Sequence, residues 1–193
     1  MVIKAIIFDL FGVLVLPGYT TLFNKFPHLV QEINQLVSEN DYGTLSRREF
    51  YESMAKLTNI SVETVKSYYR NDYSKDKDAI DWVKELKKSG NYKLGMLSNV
   101  GHGWVEDFFS RQELAELFDE VVLSSDVGLA KPAPRIFSIT AERLEVPPVE
   151  CVMFDDKLSN VQGANAAGVN GILYKSLQQA KLDFATLLDK NNA

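Results

Sequence analysis

The strongest constraint on the fold of this chain is a set of four short apolar runs, each of which ends in polar or acidic residues. The runs cover residues 3–8, 92–97, 120–123 and 150–154. They are too short for typical helices and lack polar alternation, which is the pattern of strands buried on both faces of a parallel sheet. Helical spacing recurs between them, over 79–87 before Gly90 and after Pro134. The alternation predicts an α/β fold with a Rossmann-like, mainly parallel sheet flanked by helices.

Residues 16–75 interrupt this alternation. No strand pattern is found there, and three amphipathic helical stretches can be drawn over 22–38, 46–57 and 61–69. The second and third begin at serines that are followed closely by glutamate, which is typical of helix N-caps. We therefore expect a small all-α helical insert after the first strand, in a core made of residues 1–15 and 76–193.

Length and charge narrow the classes of partner. The 193 residues favour one compact domain with a small insert. The formal net charge is −5, whereas a protein that binds a nucleic-acid backbone or an anionic membrane surface needs a basic face. We expect neither partner.

Cysteine content and the N-terminal segment indicate the compartment. Cys151 is the one cysteine of the sequence, so it can form neither an internal disulfide nor a zinc site by itself. The apolar segment 2–16 contains Lys4 and Asp9 and is too short to span a membrane. Both features predict a cytoplasmic protein.

The ends of the predicted strands carry the polar residues of most interest, because ligands of open parallel sheets bind beyond the carboxyl ends of the strands. These residues are Asp9, the pair Ser98 and Asn99, Asp126 with Lys131 a few residues on, and the pair Asp155 and Asp156. Adjacent carboxylates in one crevice repel each other and raise each other's pKa unless a cation is present. Magnesium, which prefers oxygen ligands, is the simplest such cation.

These residues form four motifs, in order, that resemble those of the haloacid dehalogenase superfamily, which is dominated by magnesium-dependent phosphatases. The motifs are Asp9-Leu10-Phe11-Gly12-Val13, Leu97-Ser98-Asn99, Lys131-Pro132 and Asp155-Asp156. Together they span 1–15 and about 76–175, and the helical insert falls where that superfamily places a helical cap.

The resemblance implies a role for each residue. Asp9 would be the nucleophile that forms an aspartyl-phosphate. Ser98, Asn99 and Lys131 would bind the substrate, with Ser98 and Lys131 taking part in catalysis. The implied Mg²⁺ ligands are Asp9, the main-chain carbonyl of Phe11, Asp156, and Asp155 directly or through water. The expected substrate is a small phosphorylated metabolite.

Phe11 departs from the pattern of the phosphatases. At this position they carry an aspartate that protonates the leaving alcohol and then activates water, and phenylalanine can do neither. Such acid–base catalysis is worth about 10² to 10⁴ in rate, so a slow phosphatase is expected. Two alternatives follow from Phe11: a metal-independent 2-haloacid dehalogenase, and a binding or regulatory protein that has lost turnover. The retained pair Asp155 and Asp156 favours the metal-dependent phosphatase.

Overall fold

The computed structural model describes residues 2–16 and 20–192. Met1, residues 17–19 and Ala193, which belong to the predicted core and insert, lie outside the described residues. The strands of the described chain are β1 (Ala5–Phe8), β2 (Val15–Leu16), β3 (Ser74–Lys75), β4 (Lys93–Ser98), β5 (Glu120–Leu123), β6 (Cys151–Asp155) and β7 (Asn170–Leu173).

The helices alternate with these strands, except for four that follow one another after β2. They are α1 (Thr20–Lys25), α2 (Val30–Asp41), α3 (Arg47–Thr58), α4 (Val62–Asp72), α5 (Lys77–Ser89), α6 (Arg111–Leu117), α7 (Ser124–Val127), α8 (Pro134–Arg143), α9 (Leu158–Ala166) and α10 (Leu177–Asn192). Short 3-10 helices cover Pro27–Leu29, Val105–Asp107 and Pro148–Glu150.

Five strands form one parallel sheet in the order β5-β4-β1-β6-β7. The register aligns the carboxyl ends of the three central strands, because Phe8 of β1 lies opposite Met96 of β4 and Phe154 of β6. The predicted α/β fold with a parallel sheet is confirmed. The residues that follow β1, β4 and β6 therefore meet at one edge of the sheet.

Apolar side chains cover both faces of this sheet, as the unbroken apolar runs predict. On one face Phe8 and Phe154 stack at 5.3 Å between ring centroids, and Trp82 of α5 meets both rings edge-on. On the other face Ile7 packs with Phe137 of α8 and Ala164 of α9. The sheet is thus held rigidly between two helical layers, and so is the edge that carries the polar residues.

A helical segment made of α1 to α4 lies between β2 and β3, which pair antiparallel as a two-residue ribbon. The expectation of no strand in 16–75 is wrong at this ribbon, since two residues are too few to show a periodic pattern. The single helix expected over 22–38 is also wrong. It is divided into α1 and α2 at Pro27, because proline disfavours helical backbone at the preceding residue, Phe26.

The predicted helix starts are confirmed at α3 and α4. Ser46 forms a capping box with Glu49, and Ser61 accepts a hydrogen bond from the backbone of Thr64.

The sequence patterns predict neither β7 nor α10. Among the described residues, no helix combines the length and apolarity needed to cross a lipid bilayer.

Candidate active site

Three carboxylates meet at the carboxyl edge of the central strands. Asp9 follows β1, Asp155 ends β6 and Asp156 comes next, and each offers an oxygen within 4.8 Å of the others. Asp9 and Asp155 are buried, whereas Asp156 is half-buried. The structure thus brings together the acidic residues that the sequence places at strand ends.

Lys131 inserts its ammonium group into this cluster. Its Nζ lies 2.8 Å from Oδ1 of Asp9 and 2.6 Å from Oδ2 of Asp155, and it also donates to the carbonyl of Leu97 at 3.1 Å. The side chain is only 1% exposed. All three hydrogens of the ammonium are engaged, so Lys131 acts at this site as a fixed positive charge.

One lysine cannot balance three neighbouring carboxylates, and burial makes their negative charges still more costly. Burial raises the pKa of Asp9 to about 7, although Lys131 acts in the opposite direction. Burial alone would lower the pKa of Lys131, but the charges of Asp9 and Asp155 outweigh it and raise that pKa. Burial, followed by the charge of Asp155, raises the pKa of Asp156. A cation bound among the carboxylates would lower the pKa of the acids.

The two oxygens of Asp9 differ in their surroundings. Oδ1 accepts hydrogen bonds from the backbone N–H of Leu10 at 2.7 Å and from Lys131. Within the described part of the chain no group donates to Oδ2. The carboxylate is therefore held through one oxygen, while the other is left for reaction at the cavity that Asp9 lines.

Two asparagine side chains hold Asp155 and Lys131 in place. Asn160 of α9 donates to both oxygens of Asp155, at 2.9 and 3.1 Å. Asn99 exchanges two hydrogen bonds, both 2.8 Å long, with the backbone N–H and carbonyl of Lys131. The sequence suggests Asn99 as a substrate ligand, and the structure places it in the lining of the cavity that Asp9 also lines, where it holds Lys131 in addition.

Ser98 ends β4 with a hydroxyl that is unusual for a buried group. The residue is completely buried, and its Oγ has no hydrogen-bond partner among residues 2–16 and 20–192. Buried hydroxyls normally have a partner, and those that lack one are found where a ligand or ion supplies it. The position fits the expected contact to a phosphoryl oxygen.

The ring of Phe11 packs into an aromatic cluster beside the cavity that Asp9 lines. Its ring centroid lies 5.1 Å from that of Tyr73 and 5.8 Å from that of Phe108. No described residue donates to its carbonyl oxygen. Gly12, at φ +85°, sits so close to Asp156 that a Cβ there would overlap the carboxylate. The loop after β1 therefore presses its backbone at Gly12 against the acidic cluster.

The donor set fits a hard divalent cation such as Mg²⁺. It consists of carboxylate oxygens and a main-chain carbonyl, the ligands that Mg²⁺ prefers. Oδ1 of Asp156 is buried without a hydrogen-bond partner in the described chain, and a carboxylate in that state is costly unless a cation meets it. Asp9, the carbonyl of Phe11, Asp155 and Asp156 could hold the ion.

A cavity of about 260 Å³ opens above Asp9. Its lining comes from both parts of the molecule. The sheet edge contributes Asp9, Phe11, Asn99, Lys131, Lys157 and Asn160, and the helical segment contributes Phe23, Asn34, Val37 and Asp41. The volume suits a phosphoryl group with a small attached group.

Two charged lining residues, Asp41 and Lys157, are missed by the sequence analysis. Asp41 is the last residue of α2, three residues beyond the predicted end of that helix. Lys157 follows the acidic pair directly, in a position that resembles any solvent-exposed lysine. A local pattern gives no signal for either, since the cavity exists only once α2 lies over the sheet edge.

The remaining candidates lie outside this cluster. Asp126, expected at the end of β5, is an exposed residue of α7 whose Oδ1 is 3.1 Å from Nδ1 of His102. Cys151 is buried in β6, and burial raises the pKa of its thiol to about 12, which excludes a reactive thiolate near neutral pH.

Comparison with known proteins agrees with this geometry. The family model of haloacid dehalogenase-like hydrolases matches residues 3–168, which includes the whole acidic cluster and the helical segment. The chain belongs to the haloacid dehalogenase-like hydrolase family. It is thereby identified as a hydrolase, and the expected family is confirmed.

Individual relatives differ in their named activities. This hydrolase is 28% identical, over 178 residues, to the pyrophosphatase PpaX of Bacillus cereus, covering 87% of this chain and 81% of that protein. A HAD family enzyme from Bacteroides thetaiotaomicron, solved with magnesium and inorganic phosphate, superposes with a TM-score of 0.76 at 21% identity, covering 91% of this chain and 96% of that one. A 2-haloacid dehalogenase from Pseudomonas syringae pv. Tomato superposes with a TM-score of 0.60 at 18% identity, covering 89% and 86%. Both structural likenesses establish the shared fold.

Proposed function

We propose that this hydrolase is a magnesium-dependent phosphatase that acts on a small phosphorylated metabolite through an aspartyl-phosphate on Asp9. The proposal rests on the surroundings of Asp156. It keeps a buried, unpartnered oxygen beside a cluster in which Lys131 is already shared by Asp9 and Asp155. A dehalogenase that works without metal has no use for this third carboxylate, whereas a metal-binding phosphatase needs it. The pyrophosphatase relative and the structural neighbour with magnesium and inorganic phosphate support the same class.

The residues of the chain take these roles in the proposed reaction. Oδ2 of Asp9, which no described group occupies, attacks phosphorus, while Lys131 neutralises the charge that gathers there. The unpartnered hydroxyl of Ser98 donates to a phosphoryl oxygen. Asn99 and Asn160 position Lys131 and Asp155, and Asn99, which lines the cavity, also contacts the substrate.

Magnesium, when bound, would neutralise negative charge on the phosphoryl group and on the carboxylates that hold it. Its proposed ligands are Asp9, the carbonyl of Phe11 and Asp156, with Asp155 direct or through water. The helical segment is proposed to act as a cap over the cavity, with residues 16–75 as its range and 1–15 with 76–193 as the core. In this arrangement the cap excludes water and selects the substrate.

Phe11 is the observation that favours a second candidate, metal-free 2-haloacid dehalogenation. An aromatic residue two positions after the nucleophile is found in the dehalogenases that this chain resembles. Its placement in an aromatic cluster with Tyr73 and Phe108 also suits a binding protein without turnover. These two alternatives differ from the phosphatase in whether their function depends on a bound metal ion.

A panel of phosphorylated metabolites, assayed with Mg²⁺ and with EDTA, tests the proposal. Release of inorganic phosphate is expected to require Mg²⁺ and to vanish in Asp9→Asn. Asp126→Asn is the matched control, since Asp126 also follows a strand but pairs with His102 outside the cluster; it should retain activity. Halide release from 2-chloropropionate in EDTA would instead establish the dehalogenase, and inactivity on both panels would favour the binding protein.

A further inference from the structure

The cavity above Asp9 has two chemically different sides. The side formed by the sheet edge carries Asp9 and Lys131, together with the amides of Asn99 and Asn160. The opposite side is formed by the helical segment, through Phe23, Asn34, Val37 and Asp41. On that side, Asp41 is the only titratable group among the described lining residues.

Phosphoryl transfer places the attacking and leaving oxygens roughly in line, on opposite sides of phosphorus. If Asp9 attacks from the sheet edge, the leaving oxygen faces the helical segment. The water that later attacks the aspartyl-phosphate must approach from the same side. One acid–base group on the helical segment can therefore serve both steps.

The backbone of Asp41 is fixed from two directions. Its carbonyl accepts a hydrogen bond from the hydroxyl of Ser124 on α7. The residue before it, Asn40, is buried and bonded to the indole N–H of Trp104 and to the carbonyl of Leu45. The carboxylate itself forms no hydrogen bond or ion pair within the described ranges, so it is free to engage a ligand in the cavity.

We propose that Asp41 supplies the proton donor and acceptor that Phe11 cannot supply. This inference rests on the proposed phosphatase function and concerns the same site. In the first step an oxygen of Asp9 bonds to phosphorus, the bond from phosphorus to the substrate oxygen breaks, and that oxygen keeps the electron pair and takes the proton of Asp41. In the second step water bonds to phosphorus and gives one proton to the Asp41 carboxylate. The bond to Asp9 then breaks, which releases inorganic phosphate and restores both carboxyl groups.

The electrostatic surroundings of Asp41 support this assignment. Burial raises its pKa to about 7, while the charges of Lys157 and Lys131 act in the opposite direction. A carboxyl group with such a pKa can both give and take a proton near neutral pH. The other charged group that lines the cavity is Asp9.

The helices that pack most against α2 are α3, α7 and the 3-10 helix Pro27–Leu29, which carries His28, and no described charged group on them forms an ion pair with Asp41. On α7, Asp126 pairs with His102, and on α3, Arg47 pairs with Asp107. Neither pair includes Asp41.

The test compares two leaving groups in Asp41→Asn, assayed with Mg²⁺. Glycerol phosphate releases a poor leaving group that needs a proton, whereas p-nitrophenyl phosphate releases a good one that does not. For glycerol phosphate we expect kcat to fall about 100-fold or more with little change in KM. For p-nitrophenyl phosphate we expect a burst of nitrophenol followed by slow turnover, because the aspartyl-phosphate accumulates when no base activates water. The alkaline limb of the pH profile should also disappear.

Two further variants separate a chemical role from a structural one. Glu39→Gln changes a carboxyl group on the same turn of α2 that bonds to Gln35 outside the cavity, and it should behave as wild type. Phe11→Asp places a carboxylate after Asp9 and should restore at least tenfold activity in the Asp41→Asn background, more than it adds to the wild type. Thermal melts report whether each variant is folded.

The possible results are distinct. If the wild type hydrolyses phosphates and Asp41→Asn keeps kcat within about threefold on glycerol phosphate, the role of Asp41 is wrong and the phosphatase function stands. The same holds if only KM changes, or if Phe11→Asp gives no rescue in a folded double variant. If the wild type releases no phosphate from any substrate with Mg²⁺, both proposals fail together.

Discussion

At the scale of single residues, the site depends on an imbalance of charge. Lys131 is shared by Asp9 and Asp155, and Asp156 and Asp41 have no cationic partner within bonding distance in the described chain. Each of the two has a raised pKa for which burial is the largest cause. The folded state therefore bears an electrostatic cost at these positions, which is common where groups are kept available for ligands or catalysis.

Replacing Asp41 by asparagine should relieve part of this cost. The pKa of Asp41 is raised from 3.8 to about 7, so between these values the folded state binds more protons than the unfolded state. Its contribution to stability is therefore complete below pH 3.8 and declines as pH rises to about 7. A shift of this size corresponds to at most about 4 kcal/mol at 1.36 kcal/mol per pH unit. Solvent at the half-buried carboxyl reduces this limit, so we expect Asp41→Asn to gain about 1 to 2 kcal/mol at pH 8.

Urea unfolding at pH 8 and pH 5 measures this effect. The gain should be smaller at pH 5, since the folded wild type is then largely protonated at Asp41. Glu39→Gln serves as the control and should show no comparable dependence on pH. A stability difference for Asp41→Asn that is equal at both pH values, or a loss of stability at pH 8, contradicts a raised pKa.

At the scale of elements, one buried amide joins the end of α2 to the rest of the molecule. Asn40 accepts a hydrogen bond from Nε1 of Trp104 at 2.8 Å and donates to the carbonyl of Leu45 at 2.9 Å. The loop around Gly101 fits so closely against it that a Cβ there would overlap the amide. This contact joins the helical segment to the loop after β4, and it thereby places Asp41 over the cavity.

Asn40→Ala should therefore weaken both stability and activity. It leaves the buried indole N–H without an acceptor, which costs about 1 to 3 kcal/mol. Urea unfolding measures this loss, and phosphate release should fall because α2 is no longer fixed. Gln35→Ala removes an exposed amide of the same helix that bonds to Glu39, and it should change stability by less than about 0.5 kcal/mol. Equal effects of the two substitutions would mean that Asn40 does not position α2.

Sequence patterns predict the strands that form unbroken apolar runs. They miss features that depend on contacts between distant parts of the chain. The four apolar runs predict β1, β4 and β6, which are covered on both faces and need no polar alternation, and they also predict the edge strand β5. β7 escapes prediction because its sequence, Asn170-Gly171-Ile172-Leu173, contains only two large apolar residues and therefore forms no recognisable apolar run. The acidic cluster follows from the register of the central strands, so Asp9, Asp155 and Asp156 could be placed in advance. Asp41 could not, since its role depends on how a helix from a different part of the chain lies over that edge.

At the scale of the whole molecule, a protein of net charge −5 concentrates three carboxylates at one edge of its sheet. A bound divalent cation relieves their mutual repulsion in the folded state, whereas the unfolded chain does not hold them together. Ligand binding to the folded state alone raises stability by RT ln(1 + [L]/Kd), about 2.7 kcal/mol at a concentration one hundred times Kd. Magnesium affinity should therefore be readable from the melting temperature without any assay of activity.

We expect Mg²⁺ to raise the melting temperature of the wild type by several degrees, and Asp156→Asn to abolish this response. The same variant should be more stable than the wild type without metal, because it removes a carboxylate whose pKa is raised by burial and by Asp155. Asp126→Asn provides the matched control, since its exposed carboxylate pairs with His102 and should leave the Mg²⁺ response intact. Thermal melts over a Mg²⁺ titration, with Na⁺ at equal ionic strength, separate specific binding from screening. If Asp156→Asn responds to Mg²⁺ as strongly as the wild type, the cation is held elsewhere and the acidic cluster is not its site.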